Sequence, residues 1–137
     1  MAMKLFYKLV GQTPVPIEVS ELHNEAELGN HIVRQTQVGR YEVSTVFLFI
    51  NHDFNHTGVP KLFETMSWIN SPGAADDGEY VAGTDRCSTW LEAEIQHARR
   101  IAELKQPGDI VEELREDPLT KQIMASYNSS PLEKMDT

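Results

Sequence analysis

The 137-residue chain has a single cysteine, Cys87, so it cannot close an internal disulfide, and its cysteine usage points away from an oxidising compartment. It has no G-x-G-x-x-G, P-loop, C-x-x-C or G-x-S-x-G sequence, so the phosphate cradles, paired-thiol metal sites and nucleophile elbows those motifs build are missing. Basic residues are scarce: 12 Lys and Arg face 21 Asp and Glu, a formal charge of −9. No stretch gathers enough positive charge to track a phosphate backbone, which argues against direct nucleic-acid binding. The longest apolar run away from the N-terminus, Val46-Phe47-Leu48-Phe49-Ile50, is far too short to cross a hydrocarbon layer. Lys8 interrupts the apolar N-terminus and no cleavage pattern follows it, so a cytoplasmic protein is expected.

What remains is ordinary globular material. Apolar residues make up 40% and charged residues 24%, enough for a core and unlike the composition of disordered chains. One α+β domain over 1–127 is expected, with a flexible tail over 128–137. Lys4 to Val10 has strand character before the turn Gly11-Gln12-Thr13-Pro14, and Pro14 and Pro16 keep the following residues extended. Ser20 is positioned to cap a short helix that Gly29 closes. β-Branched residues on both sides of Gly39-Arg40 predict a hairpin, with arms over 31–38 and 41–50. Its second arm carries Val43, Thr45, Phe47 and Phe49 on one face and Val46, Leu48 and Ile50 on the other, as in a central strand covered on both sides or a face covered by a second copy in a homodimer.

After a polar loop, residues 61–70 alternate as another strand, giving an antiparallel β-meander of about four strands. Residues 71–86, rich in Gly, Ala and Asp, read as a long loop with a short strand near Arg86. Thr89 and Glu92 form an S/T-x-x-E capping box that opens a long helix over about 89–104, packed on one face of the sheet. Two stripes run along it, Leu91, Ile95, Ala98 and Ala102 beside Trp90, Glu94, His97 and Ile101, with Trp90 expected as a core anchor. Short C-terminal helices are predicted, one from Asp109 through Glu116 and one from Pro118 toward Tyr127.

Three groups of residues have the chemistry of a site. In the loop after the hairpin, His52, Asp53 and His56 put two imidazoles and a carboxylate within five residues, although flanking Asn and Gly forbid the helical H-x-x-x-H spacing of a metal site. Glu64 shares a strand face with Leu62, Met66 and Trp68, so it is either paired or displaced in pKa if that face is buried. Glu94 and His97 stand at i, i+3 on one helix face; di-iron proteins use two such pairs, and this chain has one. Cys87 and Ser88 sit at a helix start, where a thiolate is stabilised, but no His partner has a recognisable spacing.

The blocks Val43-Ser44-Thr45-Val46-Phe47-Leu48, Asn51-His52, Leu62-Phe63-Glu64-Thr65-Met66 and Ser88-Thr89-Trp90, with Glu92, Glu94 and His97, resemble a family of short proteins carried by bacteriophages and prophages. The likeness runs from about residue 4 to 105; the 71–86 loop and the segment after 106 depart from it. It implies a setting, the cytoplasm of an infected bacterium, but no reaction, cofactor or metal. The resulting expectation is a non-catalytic accessory protein that binds a host protein or defence component, as an anti-CRISPR inhibitor does, through an acidic surface or its two long loops. Binding residues would come from His52, Asp53, His56, Glu64, Glu94 and His97. The alternatives are a small metal-dependent hydrolase using those histidines and carboxylates, and a small-nucleotide sponge.

Overall fold

The computed structural model describes residues 5–27, 31–69, 79–80 and 83–116. β1 (Tyr7–Val10) and β2 (Thr13–Pro16) form an antiparallel hairpin, followed by α1 (Val19–Glu27). The main sheet is built from β3 (Ile32–Val38), β4 (Tyr41–Phe47), β5 (Phe63–Ile69), β6 (Glu79–Tyr80), β7 (Asp85–Cys87) and β8 (Val111–Glu116), and α2 spans Trp90–Leu104. Its strand order is β6-β5-β4-β3-β8, and every pairing is antiparallel. β7 pairs with Phe63–Thr65 and β6 with Trp68–Ile69, so these two short strands share one edge of β5 and the sheet is five strands wide. The architecture is α+β, as expected, with the β3-β4-β5 meander at its centre.

The segment 109–116 departs from its expected helix. Glu, Leu and Arg favour helix locally, but pairing with the exposed edge of β3 gives these backbone groups partners that a helix of about two turns, with most of its N–H and C=O groups at its ends, cannot supply. Val111 lies opposite Val38 and Glu116 opposite Arg34. Thr36 donates to Glu113 at 2.8 Å, and Arg34 pairs with the same carboxylate at 3.2 Å. The second expected C-terminal helix, the Gly29 stop and the tail lie outside the described residues. Two boundaries also move. α1 begins at Val19, which places Ser20 inside its first turn, and β4 stops at Phe47 because Phe49 turns the chain at φ +60.

α2 starts where its capping box dictates, with Thr89 accepting from Glu92 N and the Glu92 carboxylate accepting from Thr89 N. It packs across β3, β4 and β5 and buries Trp90, Ala93, His97 and Arg100. Beneath its first half lies an apolar cluster of Tyr7, Val33, Phe47, Leu62, Phe63 and Cys87, with Trp90 edge-on to Phe63 at 6.1 Å. Beneath its second half the sheet presents hydroxyls instead: Thr36, Thr45, Thr65 and Ser67 are all buried. On the opposite face Glu64, Met66 and Trp68 alternate with the buried positions of β5 and are half-buried. No helix among the described residues is long and apolar enough to cross a membrane.

Candidate functional site

The six residues singled out in the sequence fall in three places. His97 is enclosed between α2 and the sheet, 2.7 Å from Thr36 Oγ1 through Nε2 and 2.8 Å from Thr45 Oγ1 through Nδ1. Because the Thr36 hydroxyl proton is used on Glu113, Thr36 must accept from His97 Nε2–H, and Nδ1 then accepts from Thr45. Thr45 in turn accepts from Thr65, 2.7 Å away, a shorter contact than the 3.4 Å from Thr65 Oγ1 to Gln96 Oε1, which competes for the same proton. The result is one directional run of hydrogen bonds, Thr65 to Thr45 to His97 to Thr36 to Glu113, in which each hydroxyl donates once. Burial, aided by the positive charge of Arg34, pushes the His97 pKa down to about 4, so the ring is neutral at pH 7.

Glu94 is half-buried and pairs with Arg34 of β3 at 2.8 Å. Burial works against the Arg34 charge, yet its hydrogen bonds and ion pairs with Glu94 and Glu113 outweigh that and raise its pKa. Glu64 lies on the sheet face away from α2 and pairs with Arg86 at 3.0 Å. His52, Glu64 and His97 therefore do not share a pocket: the sheet separates the last two. Among the described residues no group of three or more His, Cys, Asp or Glu side chains is arranged to hold a metal ion. Cys87 is buried with its thiol directed to Thr89 O, and burial together with the Glu92 charge raises its pKa to about 12, so it is no nucleophile at neutral pH.

The loop after β4 is the place where side chains are displayed. Asn51 Oδ1 closes its neck by accepting from Asp53 N at 3.0 Å and Lys61 N at 2.9 Å. Asp53 then organises the tip, accepting from Thr57 N, Thr57 Oγ1 and Gly58 N at 2.8–3.0 Å. Desolvation acts to raise the Asp53 pKa, but these donors outweigh it and hold the carboxyl below its usual range. Its oxygens are thus committed to the loop. His56 is held at φ +53, a conformation L side chains rarely adopt. The loop is tied to the helix start by a hydrogen bond from the Ser88 hydroxyl to Pro60 O.

Phe54 stands at the tip with 68% of its surface exposed. His52 meets it edge-on at 5.1 Å, and the Arg86 guanidinium lies 6.0 Å from its ring centre. His52 donates through Nδ1 to Ile50 O at 2.9 Å, which fixes the ring and leaves Nε2 as the outward nitrogen. Together with Lys61 and Thr84 these residues line a surface pocket of ≈ 290 Å³. The sequence flagged His52 and Asp53 but not Phe54, Lys61 or Arg86; an aromatic at the centre of a ten-residue polar loop was the available signal. His56 belongs to the same loop but not to the pocket lining.

No family model matches the chain, and comparisons with curated proteins and with solved structures find no match either.

Proposed function

We propose that the chain is a non-catalytic binding protein that engages a bacterial host protein through the platform around Phe54, in the manner of a phage accessory protein directed at host defence. The observation that carries this reading is the exposure of Phe54 on a loop whose shape is fixed by Asp53 and Asn51. An aromatic ring presented on a pre-shaped loop beside an arginine has the composition of an interface anchor, since aromatic and arginine side chains dominate the energetics of protein interfaces. Fixing the loop beforehand lowers the entropy cost of association. Four of the six acid–base groups that would serve a hydrolase have structural occupations: His97 with threonines, Glu94 with Arg34, Glu64 with Arg86 and Asp53 with its own loop.

Although the chain is acidic overall, this patch carries Lys61 and Arg86. Arg86 is already paired with Glu64, so the partner surface this patch suits has an apolar side chain to cover Phe54 and a carboxylate beside Lys61. A photoreactive phenylalanine analogue at position 54, irradiated in host lysate, should yield one dominant adduct, and the isolated partner should bind Phe54→Ala at least tenfold more weakly than wild type. Equal binding by both proteins would overturn the assignment. The pocket of ≈ 290 Å³, lined by an aromatic ring, His52, Lys61 and Arg86, also favours a second reading, a small-nucleotide sponge. Native mass spectrometry of gently purified protein separates the two, because a sponge retains its nucleotide.

A further inference from the structure

The side of α2 turned away from the sheet is apolar. Leu91 is 70% exposed and Ile95 48% exposed, and Ala98 and Ala102 are exposed on the same stripe. The i, i+4, i+7, i+11 spacing places all four within a narrow band of the helix surface, exposed among the described residues. The order of sizes along this band is uneven, with two large side chains in the N-terminal half and two alanines in the C-terminal half.

That asymmetry is self-complementary under a two-fold axis. When two copies of α2 lie antiparallel about a dyad between Gln96 and His97, Leu91 of each copy falls opposite Ala102 of the other, and Ile95 opposite Ala98. Large side chains then enter the spaces left by alanines, which also let the two backbones approach closely. Charge follows the same register. Glu92 and Arg99 flank the band on one side, both exposed, and the dyad brings Arg99 of one copy within about one helical turn of Glu92 in the other. Among the described residues Arg99 has no carboxylate partner within its own chain.

We propose that α2 is a homodimerisation helix and that its occupant is α2 of a second copy of this chain, giving a four-layer sheet-helix-helix-sheet assembly. This inference is independent of the platform reading: the band and Phe54 belong to separate surfaces. A single helix pair is a small interface, so association is concentration-dependent. Sedimentation equilibrium of the full chain between about 1 and about 200 µM should show the mass rising from one chain toward two. The variant Leu91→Ser/Ile95→Ser should weaken association at least tenfold with an unchanged circular dichroism spectrum, since both side chains are exposed. Arg99→Glu should weaken it too, more at low salt than at high salt. Ile95→Cys/Ala98→Cys should form an interchain disulfide under mild oxidation. A wild-type chain that stays monomeric across the range would overturn the proposal. So would a serine double variant that dimerises as tightly as wild type, because the contact would then lie on the sheet.

Discussion

His97 Nε2 lies 2.7 Å from Thr36 Oγ1, and because that hydroxyl gives its proton to Glu113, the imidazole can only be the donor. The pair fixes the neutral Nε2–H tautomer of a ring that is 2% exposed. A second proton on Nδ1 would force the Thr45 hydroxyl to turn its proton onto Thr65, and Thr65 its own onto Gln96 Oε1 at the longer distance of 3.4 Å, and would place a positive charge in a region closed to water.

The folded chain keeps His97 neutral down to about pH 4, whereas the unfolded chain takes up a proton near pH 6.5. The stability that depends on the neutral ring is therefore fully present above about pH 6.5 and is lost as pH falls toward 4, by up to about 3 kcal/mol. Urea unfolding of wild type and His97→Gln at pH 7 and pH 5 checks this. The variant should be about 1–3 kcal/mol less stable at pH 7 and should lose less on acidification than wild type. Equal losses would place the acid-sensitive group elsewhere.

Trp90 is 7% exposed and packs against Phe63 at the head of α2. Trp90→Ala should cost about 3–5 kcal/mol in chemical denaturation, while Trp90→Phe, which keeps a ring in the site, should cost distinctly less. A loss below about 1 kcal/mol for the alanine variant would contradict the packing.

Gly39 turns the β3–β4 hairpin at φ +56, and a Cβ there would stand 2.7 Å from the Asp109 carboxyl group. Asp109 is itself engaged, accepting from Gln106 N at 2.9 Å in the turn that leads into β8. Gly39→Ala thus meets both backbone strain and a collision, and should destabilise by about 1–3 kcal/mol. Hydrogen exchange should show faster exchange at β8 amides than in β4, because the displaced turn is the one that feeds the edge strand.

Local signals in this sequence were legible where the partners are near in the chain. The Thr89 and Glu92 pair locates the start of α2, and Gly39-Arg40 between β-branched arms locates the hairpin. The failures are non-local. Val111–Glu116 has helix-favouring residues and becomes a strand because the β3 edge supplies hydrogen bonds from more than 70 residues away. Glu94 and His97 share a helix face by spacing and both meet β3, yet one reaches the half-buried Arg34 guanidinium and the other the fully buried Thr36 hydroxyl. Thr36, Thr45 and Thr65 read as strand formers, which they are. The meeting of Thr36 and Thr45 on one imidazole, with Thr65 behind Thr45, depends on strand register, which no single segment encodes. Phe54 was passed over because an aromatic in a polar loop has no periodicity to mark it.

The hydroxyl-lined half of the sheet also acts as an address for the helix that covers it. Sliding α2 by one turn along its axis would bring Ala93 or Ile101 over Thr36, Thr45 and Thr65, and neither side chain can accept or donate a hydrogen bond. Each misplaced register would strand several buried hydroxyls at about 1–3 kcal/mol apiece, whereas greasy contacts alone would tolerate the shift with little change. The threonines thus reject wrong dockings more than they strengthen the right one, and a chain with valines at those three positions should fold with a helix that no longer settles into a single place.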